Sequence, residues 1–250
     1  MAFNFVAGMN SKVQPEEELR QRLERVHEQI TEAALRVNRR PNDVTLMAVS
    51  KTHAAETIQQ AIAAGVTDLG ENRVQEADAK IPAVGRKAAR WHLIGHLQSN
   101  KARRAVELFD VIHSLDSVAL ARRLNRVCRE VNREALPVLI QVDLGQEATK
   151  SGVAESEVPE IIEAISQSER LRLTGLMTLP PFFDDPVQAR PFFRRLREIR
   201  DELGAQGAFG DQCGELSMGM THDYPVAIEE GATIVRIGTA IFGTRAQTQN

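Results

Sequence analysis

The chain has 250 residues, of which 42% are hydrophobic and 26% are charged, and its formal net charge is −3. These values are typical of a globular protein with one large or two small domains, and they disfavour disorder and a strongly basic nucleic-acid binder. Aromatic residues make up only 4%, no apolar run is long enough to cross a membrane, and the N-terminus does not resemble a signal peptide.

The first predicted element is a long amphipathic helix over residues 15–38, preceded by a loose tail at residues 1–13. Pro15 suits the first turn of a helix, and the acidic residues at 16–18 complement the positive end of the helix dipole. Apolar residues at steps of three and four form one stripe, namely Leu19, Leu23, Val26, Ile30, Ala34 and Val37.

Short apolar segments then alternate with amphipathic ones, which is typical of parallel strands joined by helices. The predicted strands are 44–50, 67–70, 91–95, 111–114, 138–142, 173–177, 215–218 and 234–237, and helices are predicted over 117–132, 155–166 and 186–203. We therefore predict an α/β fold, a closed (β/α)₈ TIM barrel with an extra N-terminal helix, in one domain over 14–245. An open doubly wound sheet is the alternative.

In such a barrel the functional groups lie at the carboxyl ends of the strands. The first strand ends next to Lys51, whose amine could form a Schiff base if neighbours lowered its pKa. A solvated lysine at a strand end is the alternative interpretation. Lys150, in a polar loop after the fifth strand, is a rival that we expect to be hydrated.

The loops after the seventh and eighth strands have the residue types of a phosphate site. Ser217, Gly219, Gly238 and Thr239 offer hydroxyls and backbone N–H groups that a phosphate can approach. Ordinary glycine turns are the alternative. Arg236 lies inside an apolar strand and needs a carboxylate or a ligand as its partner.

Two further strand ends carry polar residues. His92 and His96 are four apart and would share one face of the third strand, but no third metal ligand is near, so we expect no metal site. Asn72 offers an amide after the second strand, where a helix cap is the alternative.

The cysteines Cys128 and Cys213 fit no metal or redox spacing, and their scarcity favours a reducing, cytoplasmic location.

A lysine and a phosphate site around one barrel mouth fit pyridoxal 5′-phosphate (PLP), which carries an aldehyde and a phosphate. At this point the sequence resembles the pyridoxal phosphate homeostasis proteins. The resemblance is carried by LMAVSKT (46–52), GENRVQE (70–76), WHLIGHLQSNK (91–101), EATKSG (147–152), GLMT (175–178), SMGM (217–220) and VRIGTAIFG (235–243).

The resemblance implies a barrel like the N-terminal domain of alanine racemase, the fold type III of PLP proteins. It implies that Lys51 holds PLP as an aldimine and that PLP is kept in balance in the cell without established turnover. Ser217, Gly219, Gly238 and Thr239 would hold the phosphate. Arg236 would lie beside the cofactor, near its pyridine nitrogen or its phosphate, and Asn72, His92 and Met177 would be pocket neighbours. PLP-dependent client enzymes are the implied partners, and a self-contained barrel permits a monomer.

Two other functions stay open. A PLP-dependent amino-acid racemase would need a second base on a further domain, for which we expect no room before Asn250; Tyr224 is the chain's one tyrosine. A nucleic-acid or partner-binding module would use a basic helix face, for which a solvated outer helix is the simpler explanation. That face comprises Arg122, Arg123, Arg126, Arg129 and Arg133. The loop 180–185 is expected to form a mobile rim over the pocket.

Overall fold

Eight parallel strands close into a barrel in the computed structural model, which describes residues 7–145 and 151–243, with side chains from residue 16 onward. Each strand pairs with the next, and β8 pairs with β1. The strands are β1 (Thr45–Val49), β2 (Asp68–Glu71), β3 (Arg90–Leu93), β4 (Val111–Leu115), β5 (Leu136–Gln141), β6 (Leu171–Met177), β7 (Glu215–Met220) and β8 (Ile234–Ile237). The predicted (β/α)₈ barrel is confirmed, and the open sheet is wrong because the first and last strands pair.

Helices connect the strands and surround the barrel, as parallel strands require. The α-helices are α1 (Ala7–Arg36), α2 (Ala55–Ala63), α3 (Val74–Val84), α4 (Ala102–Leu108), α5 (Val118–Glu130), α6 (Val158–Ser166), α7 (Arg190–Ala205), α8 (Tyr224–Glu229) and α9 (Thr239–Phe242). Short 3₁₀ turns precede α6 (Glu155–Glu157) and α7 (Pro186–Ala189), so the predicted helices there begin as tighter turns.

The buried residues form two kinds of layer. One large apolar cluster lies between the strands and the surrounding helices. Two small clusters lie inside the barrel, one around Met47, Val49 and Ile234 and one around Val111 and Met177. Because side chains alternate along a strand, Lys51 and Arg236 follow the same inward face as Met47 and Ile234.

The N-terminal helix is longer than predicted. It begins at Ala7, so Pro15 lies inside the helix and not in its first turn. The residues before Pro15, such as Ala7 and Met9, are compatible with a helix, and the apolar stripe carries no signal for where it begins. Most of the stripe is buried, and α1 packs against α8 and α9. Val37 is the exception, since it follows the end of the helix and is half-buried.

Only part of the predicted basic face of α5 is exposed to solvent. Arg122, Arg126 and Arg129 are exposed, whereas Arg133 is half-buried and donates hydrogen bonds to backbone carbonyls at the end of α4, among them that of Phe109. Arg133 is therefore held by backbone carbonyls of the neighbouring element.

Among residues 7–145 and 151–243, no helix is long and apolar enough to cross a membrane.

Candidate functional site

Residues from five strand ends meet at the carboxyl-terminal mouth of the barrel. Lys51 follows β1, Asn72 follows β2, and Met177 ends β6. Gly219 lies near the end of β7, and Gly238 follows β8. The closed topology therefore brings the predicted lysine and the predicted phosphate loops to the same opening.

Lys51 lies in a tight turn. The Ser50 carbonyl accepts from the N–H of His53 at 3.1 Å, and Lys51 is exposed. Thr52 has a φ of 67°, a left-handed conformation that a β-branched residue rarely adopts. Such strain is held only where surrounding contacts demand it, and it is common at functional sites.

Three side chains that sequence reasoning missed stabilise this turn through hydrogen bonds, namely those of Glu71, Lys80 and Glu76. Glu71 is fully buried; its carboxylate accepts from Ser50 Oγ at 2.8 Å and from Lys80 Nζ at 2.9 Å. Lys80 also donates to the Ser50 carbonyl at 2.9 Å. The Glu76 carboxylate accepts from the Thr52 N–H at 3.2 Å. Burial raises the pKa of Glu71, although the contacts with Lys80 and Ser50 oppose this.

Arg236 points into the barrel below the mouth and is 3% exposed. Its guanidinium donates to Ser217 Oγ at 2.8 Å and to the Thr178 carbonyl at 2.9 Å. It makes no ion pair with any carboxylate of the residues the structure describes; Asp223 acts on it only at longer range. Burial lowers its pKa to about 10, so the side chain is a cation at neutral pH. The buried charge lacks the carboxylate partner that the sequence suggested as one possibility.

The two glycine loops lie close to their neighbours. Gly219 has a φ of 89°, and a Cβ there would lie 2.6 Å from Ala227 Cβ, so no other residue fits. The Gly238 N–H lies 3.4 Å from Thr221 Oγ1, and a Cβ on Gly238 would lie 3.4 Å from the Val49 carbonyl oxygen. The loop that contains Gly238 therefore lies against the end of β1, next to the lysine turn.

Asn72 is partly buried beside a cavity of about 620 Å³ between the ends of β2 and β3. Gly95 also lines this cavity, and a Cβ on Gly95 would lie 2.2 Å from the Asn72 carbonyl oxygen. Only glycine allows this approach. Neither Ser217 nor Arg236 lines this cavity.

His92 lies in the barrel interior, 1% exposed, and both ring nitrogens have protein partners. They are Asp68 Oδ1 and His113 Nε2, each at 2.9 Å. His96 lies beyond the end of β3, half-exposed, 3.1 Å from an Asp116 oxygen. The prediction that both histidines share a strand face is wrong, because β3 ends at Leu93. No group of three or more potential metal ligands exists in the described ranges.

Other candidate residues lie elsewhere. Tyr224 is buried, and its hydroxyl donates to the Gln29 side chain on α1, so it does not face the mouth. Lys150 lies outside the described residues. In the rim loop, Phe182 is 75% exposed and its ring centre is 5.3 Å from that of His222 in the loop after β7.

Comparisons with known proteins agree with this architecture. A family model described as the N-terminal domain of alanine racemase matches residues 22–246. An alanine racemase from Clostridium difficile shares the fold, with a TM-score of 0.70 at 17% identity, over 93% of this chain and 58% of its own. The fold and the mouth thus define a barrel of the alanine racemase N-terminal class.

The matches to relatives of higher identity span nearly the whole length of those relatives. The pyridoxal phosphate homeostasis protein of Aquifex aeolicus is 43% identical over 225 residues, 90% of this chain and 97% of that protein. That of Escherichia coli strain K12 is 41% identical, over 89% of this chain and 95% of its own. The structure of PipY from Synechococcus elongatus with PLP bound has a TM-score of 0.74 at 39% identity, over 90% of this chain and all of that one. The chain belongs to the pyridoxal phosphate homeostasis protein family.

Proposed function

We propose that this protein binds PLP at the barrel mouth, covalently through Lys51, and serves the intracellular balance of vitamin B6. The observation that carries the proposal is Arg236, a buried guanidinium without a carboxylate partner in the described chain, which lies directly below the mouth. An uncompensated buried charge is costly unless a ligand offsets it. A dianionic phosphate on an aromatic ring is such a ligand.

The residues around Arg236 suit the two ends of PLP. The hydroxyl of Ser217 and the backbone N–H groups of the Gly219 and Gly238 loops suit the phosphate, with Thr239 at the rim. Lys51 is exposed at the same opening, where its amine can reach an aldehyde. When bound, the cofactor supplies an electrophilic carbonyl for that amine.

The remaining predicted residues have supporting positions. Asn72 lines the cavity beside the mouth, and Met177 belongs to the apolar lumen under it. His92 has protein partners on both ring nitrogens, so we infer that it acts on the cofactor through His113 and Ser217.

We further infer a monomer in the cytoplasm whose clients are PLP-dependent enzymes. The free thiols Cys128 and Cys213 support a reducing location. The family relationship supports a role in supply and balance of the cofactor more than turnover. Tyr224, which is engaged with α1, supports the same preference, since racemisation needs a second base at the lysine.

A PLP titration followed by absorbance tests this proposal. We expect saturable binding by the wild-type protein, loss of the lysine-dependent spectral change in Lys51→Ala, and wild-type binding in Lys87→Ala, which removes an exposed lysine elsewhere. Binding that survives unchanged in Lys51→Ala would contradict the assignment. Robust amino-acid racemisation by the wild-type protein, lost in Lys51→Ala, would favour the enzyme over the carrier.

A further inference from the structure

A continuous chain of buried polar side chains crosses the barrel interior from β2 to β8. Asp68 Oδ1 lies 2.9 Å from His92 Nε2, and His92 Nδ1 lies 2.9 Å from His113 Nε2. His113 Nδ1 lies 3.0 Å from Ser217 Oγ, which accepts from Arg236 at 2.8 Å. His113 is fully buried on β4, opposite Ser217 on β7, so this contact spans the lumen.

The chemistry of these groups allows one direction of the chain in which both rings are neutral. Arg236 can only donate, so the oxygen of Ser217 accepts from it. If the Ser217 hydroxyl donates to His113 Nδ1, then His113 carries its proton on Nε2 and donates to His92. His92 in turn donates its Nε2 proton to Asp68. Every contact is satisfied with two neutral rings.

The surroundings favour a neutral His113 ring in the free protein. Burial, together with the repulsion that a protonated His92 would exert and the positive charges of Arg236 and Arg90, lowers the pKa of His113 well below its ordinary value. Cations therefore face the chain from β3 and from β8, and a second charge on His113 would be repelled.

The acids that face the chain lie at its two ends. Burial would raise the pKa of Asp68, but the hydrogen bonds from His92 and Thr67 lower it, so Asp68 is a carboxylate. Asp223 attracts Arg236 at the other end, and burial raises the pKa of Asp223. The negative charge that can stabilise an added proton is thus next to His92.

A phosphate at Ser217 would reverse this chain. If the Ser217 hydroxyl turns toward a phosphate oxygen, His113 Nδ1 loses its donor, and a buried acceptor without a donor is unfavourable. The chain recovers if His113 donates from Nδ1 to Ser217 and His92 donates from Nδ1 to His113. His92 Nε2 and Asp68 Oδ1 are then two acceptors 2.9 Å apart, and they need one added proton between them.

We propose that His92 and His113 are positioning residues that couple phosphate binding at Ser217 to the uptake of one proton by the His92–Asp68 pair. This inference rests on the proposed function, because the phosphate is that of PLP. The proton comes from solvent, and the Asp68 side chain keeps 12% of its surface exposed. Only N–H and O–H bonds change: one proton enters at the pair, and one proton moves within each ring system.

A pH dependence of affinity follows. The bound state holds one more proton than the free state, so binding strengthens as the pH falls. Between the pKa of the free pair and the higher pKa of the bound pair, affinity falls about tenfold for each unit by which the pH rises. Reciprocity requires that the ligand raise the pKa of the pair by the same free energy.

The variant Asp68→Asn gives a sharp test. An asparagine amide can accept from His92 Nε2–H or donate to a deprotonated Nε2, so the reversed chain needs no added proton. PLP affinity is measured by absorbance between pH 7 and 9 in both proteins, so that the cofactor's own titrations and that of Lys51 cancel in the comparison. We expect the wild-type affinity to fall about tenfold more per pH unit than that of Asp68→Asn. Equal slopes would overturn the inference.

Nitrogen-15 NMR of the histidine rings in the wild-type chain provides a test without a variant. Ring shifts distinguish the two tautomers and the doubly protonated form, and single His92→Gln and His113→Gln spectra assign the signals. We expect both rings to carry a proton on Nε2 alone in the free protein. With PLP, His113 should move its proton to Nδ1 and His92 should become doubly protonated, while pyridoxal, which lacks the phosphate, should leave both unchanged.

The outcomes separate the two proposals. PLP binding with unchanged ring tautomers overturns the coupling and leaves the proposed function intact. Failure of PLP to bind the wild-type protein overturns the proposed function itself.

Discussion

At the scale of single residues, the site is built around one charge, that of Arg236, which the fold buries and which no carboxylate of the described residues pairs with. Arg236 makes hydrogen bonds to a hydroxyl and a carbonyl, neither of which carries a charge. These two hydrogen bonds fit the geometry of the guanidinium, but they do not offset its positive charge. A bound anionic ligand would offset it. A residue in this position contributes more to binding than to the stability of the free protein.

The variant Arg236→Met tests this separation. It removes an unpaired buried charge, which is favourable, but it also leaves the buried Thr178 carbonyl without a donor. Because these two effects oppose each other, we expect the free energy of unfolding of the free protein to change by no more than about 1 kcal/mol. PLP affinity should fall at least about tenfold, because a charge-assisted contact is lost. Arg133→Met is the control: it leaves backbone carbonyls unpaired at the end of α4 and should destabilise by about 1–3 kcal/mol without weakening affinity. The opposite pattern would contradict the account.

His113 predicts a dependence of stability on pH. Its folded pKa lies well below 6.5 because burial and nearby cations disfavour the charged ring. Below pH 6.5 the unfolded chain binds a proton that the folded chain excludes, so stability is lost as the pH falls, by up to about 1.4 kcal/mol per pH unit. Urea unfolding between pH 5 and 7 should show a shallower slope in His113→Gln than in the wild type. The exposed His27→Gln should keep the wild-type slope, and equal slopes in all three would refute the assignment.

At the scale of elements, strands were predicted far better than the contacts between their ends. All eight strands occur within about two residues of the predicted bounds, because continuous apolar runs are typical of strands buried on both faces. The start of α1 and the 3₁₀ turns before α6 and α7 were not predicted, since periodicity does not mark where a helix begins.

The residues that support the site could not be predicted from the polar residues at the strand ends alone. Glu71 and Lys80 meet only because α3 folds back over the end of β2. His113 lies on β4 between Ile112 and Ser114 and was given no role from the sequence alone. The signal that could have found it is that a buried polar residue needs a partner, as was argued for Arg236.

Two glycine substitutions are expected to have opposite effects on stability. One lies at the contact between the ends of β2 and β3, and the other lies in α7 as a comparison. Gly95→Ala places a Cβ 2.2 Å from the Asn72 carbonyl oxygen, so the two loops must separate. We expect a loss of about 1–3 kcal/mol in unfolding free energy. Gly204→Ala, in α7, meets nothing closer than 3.9 Å and should stabilise by about 0.5–1 kcal/mol. Denaturant unfolding measures both, and a neutral Gly95→Ala would show that the approach is not fixed.

At the scale of the whole molecule, α1 is part of the barrel's packing. Its apolar stripe is buried against α8 and α9, the helices that follow the two proposed phosphate loops. Tyr224 at the start of α8 ties this layer to α1 through Gln29. The single domain predicted over 14–245 therefore implies that α1 and the barrel unfold together.

Leu23→Ala tests that cooperativity. Leu23 is 4% exposed within the stripe, and truncation should cost about 2–5 kcal/mol. If α1 unfolds with the barrel, urea unfolding keeps one transition with an unchanged m-value and a lower midpoint. Two separate transitions, or a negligible shift, would show that α1 is only loosely docked.

The central claim is that Lys51 holds PLP at the barrel mouth. The most direct measurement is borohydride reduction of the PLP-saturated protein, followed by peptide mass mapping of the pyridoxyl group. We expect one major adduct, on Lys51, and its loss in Lys51→Ala but not in Lys87→Ala. An adduct on Lys150 in place of Lys51, or no adduct after saturation with PLP, would contradict it.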